Sequence, residues 1–177
     1  MLHLLSPPHW TSPAGVRHEL PATLPAALLI YLAAQRGAWV GRDSLAVLWW
    51  PDRSPAEALH ALRITLHRLK QLLAGWGVPQ GAESERQRVR LSLPCDLQRL
   101  HDSIEGNDAG ALVAAPPWAW LQGFSLARAD PFRAWADAEG ALWQSRWRQA
   151  AERALMRALH GGQPEQAWAL AQAWQAG

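Results

Sequence analysis

A single cysteine, Cys95, stands in a chain of 177 residues. One thiol builds neither a disulfide framework nor a cysteine-based zinc site. Long apolar runs are also missing. The longest, Leu24 to Ala34, contains Pro25 and is too short to span a bilayer. No positively charged segment precedes an apolar stretch at Met1, so a cytoplasmic protein without a membrane partner is expected. The chain has no glycine-rich phosphate loop, no nucleophile elbow and no paired-histidine zincin motif. Its histidines (His3, His9, His18, His60, His67, His101 and His160) are scattered, and the His60/His67 pair lacks a third ligand for a metal. Asp102/Glu105 and Asp137/Glu139 are ordinary helix carboxylates. The expectation is therefore a protein with no catalytic residues, no metal and no cofactor, and not an enzyme.

Charge is sparse as well, at 18% of residues, whereas 49% are hydrophobic. That balance excludes a disordered chain and allows a real core. Net charge is +2 but uneven: residues 1–95 carry 10 Lys/Arg against 6 Asp/Glu, and residues 96–177 carry 7 against 9. A basic half joined to an acidic half suits a nucleic-acid module attached to a protein-binding one.

The most informative stretch is Leu48 to Ser54 and the helix predicted after it, Pro55 to about Ala74. Leu59, Leu62, Leu66, Leu69 and Leu73 recur at steps of three and four, the mark of an amphipathic helix. Ser54 suits the N-cap, Pro55 the first turn, and Glu57 completes a capping box; Gly75 and Gly77 stop the helix. The opposite face carries His60, Ile64, His67, Arg68 and Gln71, flanked by Arg63 and Lys70. Arginine reaches guanine edges or phosphates, glutamine pairs with adenine, and isoleucine touches a thymine methyl. A merely solvated face has the same composition, so the order of neighbouring elements has to decide.

That order favours DNA. Short strands are predicted at Leu2–Leu5, about Trp10 and Val16–Leu20. A helix capped by Thr23 follows, then a strand at Trp39-Val40, then a brief helix capped by Asp43 or Ser44 and running through Leu48. With the helix from Pro55, this is a helix-turn-helix order whose last helix is placed to read a groove. Trp49 is expected as a core anchor. Further on, Arg86, Arg88 and Arg90 alternate with apolar residues, which places the three arginines on one face of a strand. They suit a wing lying along phosphates or entering a minor groove; a charged, solvated edge strand is the alternative.

From Asp96 the pattern is helical. Leu97, Leu100, His101 and Ile104 form one amphipathic set, Ala109 to Ala115 a second, and Pro116-Pro117 breaks the run. Asp130 is expected to cap a long helix from Pro131 to about His160. Gly161-Gly162 then turns into a last helix bearing Ala167, Trp168, Leu170, Ala171 and Trp174. Seven of the twelve tryptophans lie in this half. Tryptophan is enriched at interfaces, and Trp118, Trp120 and Trp174 are the ones expected to face a partner.

Leu48-Trp49-Trp50-Pro51-Asp52, Ala58, Ala61-Leu62-Arg63 and Leu66-His67-Arg68-Leu69-Lys70 resemble the "LWPD…A…ALR…LSRLRR" block of bacterial SARP-type activators. In these regulators an OmpR-type winged helix is followed by a helical bacterial transcriptional activator domain. Asp96-Leu97, Leu121, Gly123-Phe124, Phe132, Trp135 and Glu139 resemble the pattern of that second domain. The helix pair across Gly161-Gly162 is similar to a tetratricopeptide-like hairpin. Departures are the doubled tryptophan, His60 where Asn is common, His67 where Ser is usual, and Gly140 where the family has Arg.

The resemblance implies a mainly α fold with small β elements: a winged helix-turn-helix over 1–95, with a small antiparallel N-terminal sheet, followed by the start of an all-α, tetratricopeptide-like segment over 96–177. It implies contact between RNA polymerase and the turn bearing Trp50, Asp52 and Arg53, and homodimers on tandem repeats. Because one hairpin lacks stacked neighbours, the chain is expected to be a fragment of a longer regulator. The function expected is sequence-specific binding of double-stranded DNA by a transcription regulator, with 55–74 in the major groove and 86–93 as wing. Protonation of His60 and His67 would add charge to the DNA face. The alternative is a protein-interaction module that keeps the winged-helix shape without DNA binding; the modest charge and the substituted histidines point that way.

Overall fold

The computed structural model describes residues 1–127 and 129–177. The chain opens with three short strands, β1 (Leu2–His3), β2 (His9–Thr11) and β3 (Arg17–Glu19), joined antiparallel in the order β1-β2-β3. Period-two burial explains the register: Leu2 pairs with Trp10, and both are buried. Helix α1 (Leu24–Ala34) follows and is buried on nearly every side, as its uninterrupted apolar sequence requires. Thr23 occupies its N-cap position, but the hydroxyl makes no cap bond.

Strand β4 (Val40–Gly41) leads directly into α2 (Arg42–Trp49), which starts two to three residues earlier than a cap at Asp43 or Ser44 would place it. Gly41 is the N-cap residue instead. After a tight turn comes α3 (Pro55–Gly75), 21 residues and about 30 Å long. Its capping box is complete: Ser54 Oγ accepts the Glu57 N–H, and the Glu57 carboxylate accepts the Ser54 N–H at 3.1 Å. Such a cap is worth about 1 kcal/mol. α3 packs against both α1 and α2 through Ala58, Leu62, Leu66, Leu69 and Leu73. Leu59, expected in that stripe, is only half-buried. Thr65 is buried instead, its hydroxyl donating to the Ala61 carbonyl at 2.9 Å.

Two strands, not one, follow α3. β5 (Ala82–Ser84) and β6 (Arg88–Leu91) form a hairpin, and β6 also pairs with β4, giving the order β4-β6-β5. No strand is expected at β5 from the sequence, because Ala82-Glu83-Ser84 shows no apolar alternation.

The helical half comprises α4 (Asp96–Gly106), α5 (Ala109–Ala114), a single 3₁₀ turn at Pro117–Ala119, the long α6 (Asp130–His160) and α7 (Pro164–Gln175). Asp130 is the first helical residue of α6 and not its cap, which is Ala129. α6 and α7 form an antiparallel hairpin, and Gly162 supplies the left-handed φ of +67° at the turn. Asp108 caps α5 by accepting the Ala111 N–H, and Trp147 donates its indole N–H to the Leu112 carbonyl at 3.0 Å.

The two halves share one core. Cys95 forms a parallel bridge to Leu2, the Asp96 carboxylate accepts the N–H groups of Leu4 and Leu5, and the Leu121 N–H reaches the Leu4 carbonyl at 2.9 Å. An aromatic row continues the join: Trp49 lies 5.7 Å from Phe132, and Tyr31 lies 4.9 Å from Trp135. Among the described residues, no helix is long and apolar enough to cross a membrane.

The tryptophans expected at a partner surface are half-buried and packed against the helical core. Trp118 donates to the Ala173 carbonyl at 2.8 Å, Trp120 donates to the Ala136 carbonyl at 2.9 Å, and Trp174 packs 6.2 Å from Trp147. The outward indole is Trp168, 67% exposed on α7.

Candidate nucleic-acid interface

α3 places His60, Arg63, Ile64, His67, Arg68, Lys70 and Gln71 in solvent. At 100° per residue these seven span roughly 160° of the helix circumference, opposite the buried leucines. Rigid support comes from α1 and α2, which bury the other side of α3. Ile64, 42% exposed, sits in the middle of the polar stripe. Arg63, Arg68 and Lys70 make no ion pair among the described residues. The face therefore holds three uncompensated cations, two imidazoles, one amide and one apolar side chain.

The hairpin arginines divide. Arg86 is exposed in the turn between β5 and β6 and lies outside either strand. Arg88 and Arg90 share one face of β6, as period two requires. Each is held from two directions. Arg88 pairs with Glu85 at 2.7 Å and Arg90 with Glu83 at 2.7 Å, and both guanidinium groups stand 4.6 Å from the ring centre of Trp39. Glu83 and Arg90 are directly opposite in the antiparallel register, where unlike charges attract. The hydrogen bonds from Arg90, and then from Ser92, hold the Glu83 carboxyl below the usual carboxylate range; the bond from Arg88 does the same for Glu85. Both acids stay ionised and offset most of the hairpin's positive charge. Nothing in residues 86–93 alone signals this, because the acids and Trp39 arrive from other segments.

Between α3 and the hairpin lies a residue that sequence reading passes over. Arg42 opens α2, and its backbone N–H donates to the Gln87 carbonyl at 2.9 Å, tying the start of α2 to the hairpin turn. Its side chain lines two adjoining clefts, one shared with Arg63, His67, Lys70 and Ser84, the other with Arg63, Arg86 and Asp43. The signal available in the sequence was Gly41-Arg42 just after a short strand, but the helix start was placed beyond it.

In the turn between α2 and α3, Asp52 and Arg53 are exposed and Trp50 is half-buried, 6.4 Å from the buried Trp49. Among the described residues, no group of three or more His, Cys, Asp or Glu side chains is arranged to hold a metal ion.

The order of elements, with an antiparallel sheet, three helices and a terminal hairpin pairing back to β4, defines an OmpR-type winged helix-turn-helix followed by an all-α, tetratricopeptide-like segment. No family model matches the chain, and no curated protein matches it. Among solved structures it is similar to Mycobacterium tuberculosis EmbR in complex with a low affinity phosphopeptide, with a TM-score of 0.60 and 21% identity. The match covers 92% of this chain and 46% of that one, so this chain spans about half the length of that protein. Such a likeness shows the fold, which includes both halves described above.

Proposed function

We propose that this chain is a sequence-specific DNA-binding transcription regulator, with residues 1–95 as the DNA-binding unit and residues 96–177 as the start of a helical regulatory unit. The observation that carries the reading is the exposed stripe of α3, in which uncompensated cations, an amide and an isoleucine lie together on a helix braced from behind. α3 enters the major groove, where Arg63, His67, Arg68 and Gln71 contact bases or phosphates, His60 and Ile64 complete the reading face, and Lys70 contacts backbone. The hairpin lies along the adjacent backbone with Arg86 at its turn, while Arg88 and Arg90 keep the hairpin in shape against Trp39.

The SARP-type resemblance extends the reading to activation. The turn bearing Trp50, Asp52 and Arg53 lies beside the first turn of α3, where a promoter-bound RNA polymerase would meet it. Two copies side by side on tandem repeats would present two such turns.

Binding of the chain to random duplex DNA between about 50 and 300 mM salt, followed by selection of preferred sites, tests this. A steep loss of affinity with salt together with an enriched motif is expected, because phosphate contacts release counterions. No binding at the lowest salt would remove the reading and leave the protein-interaction module.

A further inference from the structure

We infer that the backbone-phosphate clamp of this face is the cleft between Arg42 and Ser84, and that the strand arginines Arg88 and Arg90 lie outside it. The inference rests on the DNA-binding reading and assigns part of that contact.

Arg42 is costly where it stands. It is the first residue of α2, where the helix dipole disfavours a positive charge. Its Nε is buried without a partner in the protein, and among the described residues its guanidinium makes no ion pair. The Ser84 hydroxyl on the same cleft wall is likewise buried and unpartnered. Unpaired buried donors are rare because each forfeits its hydration. Two of them lining one cleft, beside Arg63, His67 and Lys70, is the pattern of a site whose anionic ligand supplies the missing acceptors.

Arg90 also has a buried, unpartnered Nε, but its charge is compensated by Glu83 and its plane is stacked on Trp39. A phosphate approaching Arg88 or Arg90 meets two ionised carboxylates. One approaching Arg42 meets Arg63 and Lys70, with Asp43 on the far side. Position points to the same ligand, since the cleft lies between the proposed reading helix and the hairpin, where the strand flanking a filled groove passes.

The test compares the full chain with Arg42→Gln, Ser84→Ala and Arg88→Gln, measuring duplex affinity against salt alongside thermal unfolding. Arg42→Gln is expected to weaken specific and random duplexes alike, by about tenfold near 0.1 M salt, and to lower the salt slope by about one. Its melting temperature should hold or rise, because a buried donor without a partner is gone. Ser84→Ala should weaken binding without changing the slope, and Arg88→Gln should leave the slope unchanged. An unaltered slope in Arg42→Gln, or a slope lost in Arg88→Gln, would overturn the assignment while DNA binding stands. If the unaltered chain binds no duplex, the DNA reading and the clamp fall together.

Discussion

Gly140 on α6 lies directly beneath the indole of Trp120: a Cβ built on the glycine would sit 2.5 Å from Trp120 Cδ1. The absence of a side chain lets the ring lie on the helix and donate its N–H to the Ala136 carbonyl one turn earlier.

Gly140→Ala should therefore destabilise. Helix propensity favours alanine by about 1 kcal/mol, but forcing a methyl group against a rigid indole costs about 1–3 kcal/mol, and the second effect wins. Urea unfolding should show a lower midpoint for Gly140→Ala. A raised midpoint would mean that Trp120 moves freely. Gly140→Arg should be worse, and combining either change with Trp120→Ala should remove most of its excess cost.

Asp96 ties the first strand to the helical half. Its carboxylate accepts the N–H groups of Leu4 at 2.8 Å and Leu5 at 2.9 Å. Asp96→Ala leaves two partly buried donors unpaired, at about 1–3 kcal/mol each where no water replaces the acceptor. Amide hydrogen exchange should accelerate at Leu4 and Leu5 first. Protection unchanged at those two amides would show that the contact contributes nothing.

Cys95 should be inert in the folded protein. Burial, and then the neighbouring Asp96 charge, push its thiol well above the usual range, so almost no thiolate forms at neutral pH. Modification by a maleimide at pH 7.5 should be slow in buffer and fast in denaturant. Rapid labelling of the native chain would mean that the Leu2–Cys95 join opens readily.

The N-terminal sheet should weaken on acidification. Burial, and then the stacked His9 ring 4.3 Å away, lower the pKa of His3 below its ordinary 6.5, with Asp96 acting in the opposite sense and the N-terminal amine and Arg17 adding to the lowering. The unfolded chain then takes up this proton at higher pH than the folded chain does. The contribution of His3 to stability is complete above pH 6.5 and declines as pH falls from there through the lowered folded value. His3→Gln should lose less stability than the unaltered chain between pH 7.5 and 5.5. Equal losses would remove His3 from the account.

Much of this was legible in the chain itself, and the exceptions have physical causes. α3 could be read because its leucine period and its Ser54–Glu57 cap agree, and the structure keeps both. β5 was missed because a hairpin strand of Ala82-Glu83-Ser84 is stabilised by cross-strand pairing to β6, which leaves no local pattern. The pairing of Arg88 and Arg90 depends on Glu83, Glu85 and Trp39, brought together only by the sheet. Trp118, Trp120 and Trp174 were expected outside because the size of an indole suits an interface and a core equally. What distinguishes them is that the N–H groups of Trp118 and Trp120 find carbonyls and that Trp174 packs on Trp147, and these are tertiary facts. Arg42 escaped notice because a helix start displaced by two or three residues hides which side chain faces the next element.

The exposed stripe of α3 is proposed to read bases. Selection of preferred sites from random duplex DNA, run in parallel for the unaltered chain and for Arg68→Ala, tests it most directly. The unaltered chain should enrich one motif, and the variant should relax it at a single position, with a loss there of about 1–3 kcal/mol. An identical motif at identical affinity would place the reading face elsewhere, and no enrichment by the unaltered chain would contradict sequence recognition altogether.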